Sequence, residues 1–559
     1  MHRRLRHRRI ITILRRLAIG SFFLLAYSSR SSFIIHLQNT FNVPTTSEYR
    51  GGLIDDVQSI RCYRWFGQCR SLIAKQRSSD DRIVSWSRIS KNLTDESLYS
   101  IETSFFYKTY LYVHEWDGSV NPGPISELAI SRDSSMIPIQ VTQDVQRLIK
   151  ISDSSVFHNH VHRERRPIID FFTRDHSDSD IIHSLGEDWK YKGGGIWCKH
   201  RSDQDPITNI QLYLGSGFLE SRPNWKEVIH EYSRNKGHKS QLISVTREIN
   251  NGQEKREQSV IIKDDDVLGI SLSPHYGKSL KILQISDIHF RCSEDTIAVL
   301  SEFQTKHFIS NVISRERPDL VVVTGDFLDG DNSLDYQACI MKLVQPMIKS
   351  KTPYAITTGV SDYSRFAAIS QIQDFIKGLP YSLNRYASPE GHLAISSHFS
   401  KGTDAAIYIL DSFHPVKQFF SMQKDYQTYR YALAFRHLPI PEYRPEGVFP
   451  IIGQYNEQSI VKSKLFDDKI LQKIMYSFNV KAMSCGHEHS NDCCLQSRGD
   501  MWLCYGGSAG IGIDRMNGME PSVRLFNIDG DLDEVTSWKR NFRLIESVYD
   551  YQYIYQGQL

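Results

Sequence analysis

No Cys-x-x-Cys pair occurs in the 559 residues, and the nine cysteines are scattered rather than patterned. That excludes a structural zinc site of the usual spacing and argues against a disulfide scaffold. Only Cys62 and Cys69 stand as a short loop could join them, and the adjacent Cys493 and Cys494 cannot easily both pair. The redox compartment stays open on this count. The chain also lacks a glycine-rich phosphate loop, a nucleic-acid-binding module and any internal repeat. Its formal charge of +3 is too small to point to a polyanionic partner, so no nucleic acid is expected. Nor is there an unbroken apolar run of the roughly 20 residues that span a bilayer.

Acids are missing where arginine is concentrated. None precedes Glu48, whereas Arg3, Arg4, Arg6, Arg8, Arg9, Arg15 and Arg16 crowd the first sixteen residues. The apolar run Leu17–Tyr27 follows, and its extension to Leu37 takes in Arg30 and several serines. Basic-then-apolar order is that of a signal peptide or signal anchor, which implies a single-pass membrane or secretory-pathway protein attached through this segment. A mitochondrial presequence is the alternative, being likewise rich in arginine and serine and poor in acids. A basic tail without a targeting role would not need Phe22-Phe-Leu-Leu25. The triplet Asn92-Leu-Thr94 fits a lumenal side, although such triplets arise easily by chance.

What is present divides the chain into segments. Residues 1–40 form the basic head and hydrophobic segment. From 41 to 275 short β-like runs (Phe105–Val113, Ile137–Val141, Ile196–Lys199, Ile210–Leu214, Val260–Ile262) alternate with turn chemistry such as Asn121-Pro-Gly-Pro124 and Gly193-Gly-Gly195, a β-rich domain. The polar stretch 153–180 inside it holds His158, His160, His162 and His176, but no acids stand at ligand spacing, so it reads as a solvated loop. Apolar runs then alternate with helical patterns over 276–545: strands at Ile282–Ser286, Asp319–Thr324 and Pro353–Thr357, helices near 296–314, 335–348 and 367–376. Further strands follow at Leu393–Ser396, Ala405–Leu410, Tyr431–Phe435, Val480–Cys485, Trp502–Tyr505 and Val523–Ile528, with one helix near 467–477. Residues 546–559 read as a tail. The fold class is therefore α/β, a layered sheet flanked by helices and preceded by a smaller β-rich domain.

Chemistry collects where these strands end. Ile282–Ile285 runs into Asp287-x-His289, and the second strand into Gly325-Asp326. Tyr431–Phe435 leads to His437, and Val480–Cys485 to Gly486-His487-x-His489. In open α/β sheets ligands sit beyond the carboxyl ends of strands. One such pair means little; four in one domain, at the strand ends of what reads as one sheet, point to metal. Two carboxylates and four imidazoles suit Zn, Mn or Fe rather than Ca. A shared carboxylate such as Asp326 could bridge two divalent cations about 3.5–4 Å apart, the arrangement that clamps a phosphate. Ser508 in Gly506-Gly-Ser-Ala-Gly510 resembles a nucleophile elbow only loosely and reads better as a glycine turn.

The order Asp287-x-His289, Gly325-Asp326, His437, Gly486-His487-x-His489 resembles the calcineurin-like metallophosphoesterase family over about 280–510. Arg436-His437-Leu-Pro-Ile-Pro-Glu-Tyr443, His487-Glu-His-Ser-Asn491-Asp492 and Tyr505-Gly-Gly-Ser508 are similar to its purple-acid-phosphatase-related fungal and plant branch, in particular the fungal dose-dependent cell-cycle-regulator phosphatases. The resemblance implies a metallophosphoesterase sheet sandwich and one or two divalent cations per chain. It also implies that Asp287, His289, Asp326 and His489 hold one cation, and that Asp326, His437 and His487 hold the other. Asp329 stands where purple acid phosphatases carry their tyrosine, so no iron–tyrosinate colour is expected. The family's Gly-Asn-His-Asp motif is here Gly359-Val360-Ser361-Asp362. Val360 has no donor atom for the second metal, and Ser361 cannot replace a histidine as acid, so no catalytic acid is assigned. Two readings follow: a metal-dependent phosphoesterase acting on a phosphorylated substrate such as a phosphoprotein, with impaired second-metal and acid positions, or a catalytically dead, membrane-attached pseudophosphatase with a regulatory or scaffold role.

Overall fold

Leu320-Val-Val-Val-Thr324 is buried along its whole length, as a parallel strand covered on both faces must be. The computed structural model describes residues 277–292, 296–333, 335–363, 367–423, 429–444, 450–456, 468–497, 501–515 and 518–557. Ahead of these it describes 52–63, 86–89, 91, 107–116, 118, 123–130, 189–192, 196–200, 205–214, 218–223, 225–228, 243–249, 260–261 and 270–274. The basic head, the apolar run at 17–27, the sequon at Asn92, the strand expected at Ile137–Val141, Cys69 and the histidine-bearing loop 153–180 lie outside the described residues.

The described residues before 250 form three small antiparallel sheets. Strands β1 (Ile54–Tyr63), β2 (Trp86–Arg88) and β3 (Tyr107–Glu115) lie in the order β1-β3-β2. β4 (Ile125–Ile130), β5 (Trp189–Tyr191) and β6 (Ile196–His200) lie in the order β4-β6-β5. β7 (Ile207–Leu214), β8 (Trp225–Glu227) and β9 (Ile243–Ile249) lie in the order β7-β9-β8. Ile54, Val113, Ile125, Cys198 and Ile207 share one buried cluster across these sheets.

Two larger sheets carry the rest. β10 (Val260–Ile261), β11 (Ile270–Leu272) and β12 (Ser279–Ile285) are followed by helix α1 (Thr296–Glu316), β13 (Leu320–Thr324), α2 (Tyr336–Ser350), β14 (Tyr354–Thr357) and α3 (Ile369–Lys377). Then come β15 (Leu393–His398), β16 (Asp404–Ile409), α4 (Lys417–Ser421), β17 (Tyr431–Phe435), β18 (Ile451–Ile452) and α5 (Asp468–Ser477). The chain closes with β19 (Val480–Cys485), β20 (Cys494–Gln496), β21 (Trp502–Tyr505), β22 (Ser522–Asp529), β23 (Glu534–Asn541) and β24 (Tyr549–Gln556). One sheet has the order β14-β13-β12-β22-β23-β24, the other β10-β11-β15-β16-β17-β19-β21-β20-β18.

Successive side chains on a strand face opposite ways, and the burial clusters divide accordingly. Ile282, Val322, Leu433, Phe435 and Phe526 fill the space between the two sheets. Leu283, Val323 and Leu525 face outward against Phe308 and Val312 of α1 and Leu343 of α2. Tyr408 and Met483 on the other sheet face Phe419 and Phe420 of α4 and Met475 of α5. The result is four layers: helices, sheet, sheet, helices. Phe435 meets the Phe526 ring edge-on at 5.6 Å between the sheets. Phe435→Ala is therefore expected to cost about 3–5 kcal/mol in denaturant unfolding; a loss under about 1 kcal/mol would contradict this packing.

Three expectations change. The strand ends do not belong to one sheet: β12 and β13 are in the six-stranded sheet, β17 and β19 in the nine-stranded one, and the site lies where the two converge. Residues 549–556 are not a tail but β24, paired antiparallel with β23; the tyrosine-rich segment reads as polar, yet buries Gln552 and Ile554. Finally, the cysteines do pair. Among the described residues Cys292 bonds Cys339 and Cys494 bonds Cys504, and Cys198, Cys485 and Cys493 are buried thiols. Partners 47 residues apart carry no spacing signal.

Candidate metal centre

Three parallel strands of the six-stranded sheet and two of the other end at one place, and all six expected donors meet there. Asp287 and His289 follow β12, Asp326 follows β13, His437 follows β17, and His487 and His489 follow β19. Ligand atoms of Asp287, His289, Asp326 and His489 lie within 4.8 Å of one another, as do those of Asp326, His437 and His487. Asp326 belongs to both groups. His289 Nε2 and His489 Nε2 are 3.0 Å apart, and His437 Nε2 is 3.4 Å from Asp326 Oδ1.

The backbone bends sharply to achieve this. Asp287, His289, Asp326 and His487 all have positive φ, between 49° and 73°. Such residues are uncommon outside glycine and cluster where function fixes the geometry. Gly325, at φ +79°, and Gly359 let the chain come close: a Cβ on the first would strike the His437 ring, and one on the second the Asp326 carboxylate.

Asp362 ties the loops together. Fully buried, it accepts hydrogen bonds from the amides of Asp326 (3.0 Å), Leu328 (2.8 Å) and Gly359 (2.7 Å). Asp287 likewise accepts from the His487 amide at 3.0 and 3.1 Å. Ser361, in the altered motif, gives its amide to Asp326 Oδ1 at 2.6 Å and its hydroxyl to Oδ2 at 3.2 Å. Val360 is 43 % exposed and offers nothing. Ser508 is no nucleophile: its hydroxyl donates to the Asp287 carbonyl at 3.2 Å and receives Arg515.

Do these residues fit cations? His437 donates Nδ1–H to the Thr324 carbonyl at 2.9 Å, which turns Nε2 toward Asp326. That buried Nε2 has no hydrogen-bond partner, nor has Nδ1 of His487. Buried polar atoms are rarely left so, and imidazole nitrogens facing a shared carboxylate suit a divalent cation. The donor set fits. The charges are strongly coupled without it. Burial disfavours charge on His437, yet Asp326 outweighs this and pushes it up to about 9. Burial likewise opposes charge on Asp326, but His437 holds it well below the carboxylate range. Burial lowers His289 and, with His437 beside it, His487. Burial and then Asp326 push Asp362 up to about 8.

His437 gives a pH test. Its value is raised, so in the cation-free protein its proton stabilises the fold fully below about 6.5, and that contribution is lost as pH rises through about 9. A cation at Asp326–His437–His487 must displace the same proton. Its affinity should then rise about tenfold per pH unit between pH 6.5 and 9. Calorimetric manganese titrations at pH 6.5, 7.5 and 8.5 read this; a flat profile for the weaker cation would contradict it.

Some of the site had no sequence signal. The Asp362 cradle for the Asp326 and Leu328 amides, the Glu488 pair with Arg444 and the Thr358–Asp411 bond of 2.8 Å beside the altered motif are contacts between residues distant in sequence.

Residues 280–491 match the family model described as calcineurin-like phosphoesterase. The chain is 30 % identical over 603 aligned residues to Protein SIA1 of Kluyveromyces lactis, covering 99 % of each. It is 27 % identical over 331 residues to Phosphatase DCR2 of Saccharomyces cerevisiae, covering 50 % of this chain and 56 % of that one. It is 28 % identical over 283 residues to Probable inactive purple acid phosphatase 28 of Arabidopsis thaliana, covering 42 % and 70 %. Among solved structures, the Plasmodium protein titled "GAP50 the anchor in the inner membrane complex" superposes with a TM-score of 0.34 at 13 % identity, covering 50 % of this chain and 90 % of that one.

Proposed function

This chain belongs to the calcineurin-like phosphoesterase family, and on that premise we propose that it is a metal-dependent phosphomonoesterase of low activity, restricted to esters with good leaving groups. The observation that carries the reading is the pair of donor groups sharing Asp326, with ring nitrogens of His437 and His487 left unpartnered. Asp287, His289, Asp326 and His489 would hold one cation. Asp326, His437 and His487 would hold a second, more weakly because Val360 supplies no fourth donor. Divalent cations held there would supply Lewis-acid stabilisation of phosphoryl charge and a bound water of lowered pKa.

The chain's own residues do the rest. Asp362 fixes the Asp326 and Gly359 backbones, the Thr324 carbonyl fixes the His437 tautomer, and Ser361 orients the Asp326 carboxylate. None of them protonates a leaving group, a contribution typically worth about 10²–10⁴ in rate. An activated aryl phosphate needs little such help. Turnover of it by the full chain with manganese, lost in Asp287→Asn, is the expected result. No metal-dependent turnover by the native chain would leave the second reading, a phosphate-binding pseudoenzyme, which Val360 and Ser361 favour and which suits the relative named as probably inactive.

We further propose that the domain works in an oxidising compartment of the secretory pathway. Support comes from the two disulfides and from the basic-then-apolar order of residues 1–27. Among the described residues no helix is long and apolar enough to cross a membrane.

A further inference from the structure

We propose that Arg291 is the residue that grips the phosphate, taking the place left without a cation at Ser361; this rests on the phosphoesterase reading of the metal centre. Phe290 is buried at 1 % exposure and bridges to Leu328. The Phe290 amide donates to the Phe327 carbonyl and the Asp329 amide to the Phe290 carbonyl, each at 3.0 Å, so Arg291, two residues beyond His289, is laid beside Asp329, three residues beyond Asp326. Its Nε donates to Asp329 Oδ2 at 2.8 Å. Asp329 is in turn held by Asn332 Nδ2 at 2.9 and 3.1 Å, and its charge acts on His289.

An exposed ion pair alone would mean little, since water screens it. This one is built in from both ends. The Arg291 amide donates to Glu302 Oε1 at 2.8 Å, and the Cys292 amide to the same oxygen at 2.7 Å. Glu302 is buried against Lys342 at 2.7 Å, and Cys292 is bonded to Cys339 on α2. So the segment carrying Arg291 is pinned to α1 and α2, and only the guanidinium end is open. Among the described residues its two η nitrogens make no hydrogen bond, and the side chain is 53 % exposed. Two adjacent N–H donors on a planar cation match two oxygens of a phosphate. Arg515, whose guanidinium acts on Asp287, is turned onto Ser508 and Gly510 instead. The ligand class is therefore a phosphate monoester dianion or inorganic phosphate, spanning the first cation group and Arg291.

The test measures inorganic phosphate binding to the manganese-loaded full chain by calorimetry, with metal content by elemental analysis. Arg291→Gln is expected to weaken phosphate about 10- to 100-fold with unchanged manganese, and Arg291→Lys to recover part of it. Lys278→Gln makes the same charge change at the far end of β12 and is expected to leave binding within twofold. Phosphate binding within twofold of native in Arg291→Gln overturns the proposal while leaving the metal reading standing. So does absence of phosphate binding by the native chain. Loss of manganese together with phosphate in Arg291→Gln also overturns it, since the residue would then be structural. A native chain that lacks manganese yet binds phosphate through Arg291 supports the proposal and removes the metal reading.

Discussion

Joint replacement of Val360 by asparagine and Ser361 by histidine is expected to convert this chain into a far better phosphatase. The substitutions would restore an amide oxygen for the second cation and an imidazole for the leaving group. The local frame for both is already in place. Gly359 touches Asp326 and His437, the Ser361 amide is docked on Asp326 at 2.6 Å, and Asp362 holds the turn from beneath. Val360 is 43 % exposed, so a side chain of similar length fits without repacking. A lost outer partner alone costs metal affinity about 10–100-fold, so regaining a direct ligand should raise second-cation affinity by at least that. A general acid contributes about 10²–10⁴ in rate; the two gains share a site and will not multiply simply. The readouts separate them. Val360→Asn alone should raise manganese per chain toward two, and Ser361→His alone should flatten the dependence of rate on leaving-group pKa. Unchanged metal content and unchanged rates on alkyl phosphates in the double variant would mean that 359–362 does not occupy the motif's place.

The contrast between this motif and its surroundings shows what a sequence can carry. Asp287, His289, Asp326, His437, His487 and His489 were legible because each follows a strand whose apolar run marks its end. Strand ends in a layered α/β fold converge without any long-range information. Which sheet each strand joins was not legible. The runs at 431–435 and 480–485 look like those at 282–285 and 320–324, and only register distinguishes them. The left-handed backbone at four of the donors left no trace either, since none is glycine. Arg291 and Asp329 are separated by 38 residues and meet through side chains alone. β24 escaped notice because Ile554 is its one aliphatic residue among four tyrosines, and its partner β23 because of charge: Lys539 and Arg540 are nearly buried there, paired with Asp492 and Glu316.

Asp326→Asn is expected to empty both cation positions at once, and the reason lies in its geometry rather than in its charge alone. Asp326 is the one residue common to the two donor groups. Removing Asp287 takes a ligand from the first group only and leaves Asp326, His437 and His487 together. Removing the Asp326 carboxylate cuts the first group to three donors and the second to two imidazoles. It also releases His437. With the Asp326 carboxylate gone, only the weaker pull of Asp287 and the Thr324 carbonyl opposes the burial that disfavours its charge, so its proton is held less tightly. Asp362 loses the neighbour that, after burial, does most to raise it, and should ionise more readily. Elemental analysis should therefore rank manganese per chain as native above Asp287→Asn above Asp326→Asn, the last falling by roughly 100-fold in affinity at each position. The rise of affinity with pH should vanish in Asp326→Asn and persist in Asp287→Asn. If Asp287→Asn and Asp326→Asn lose the same amount of metal, Asp326 does not bridge, and the centre holds a single cation.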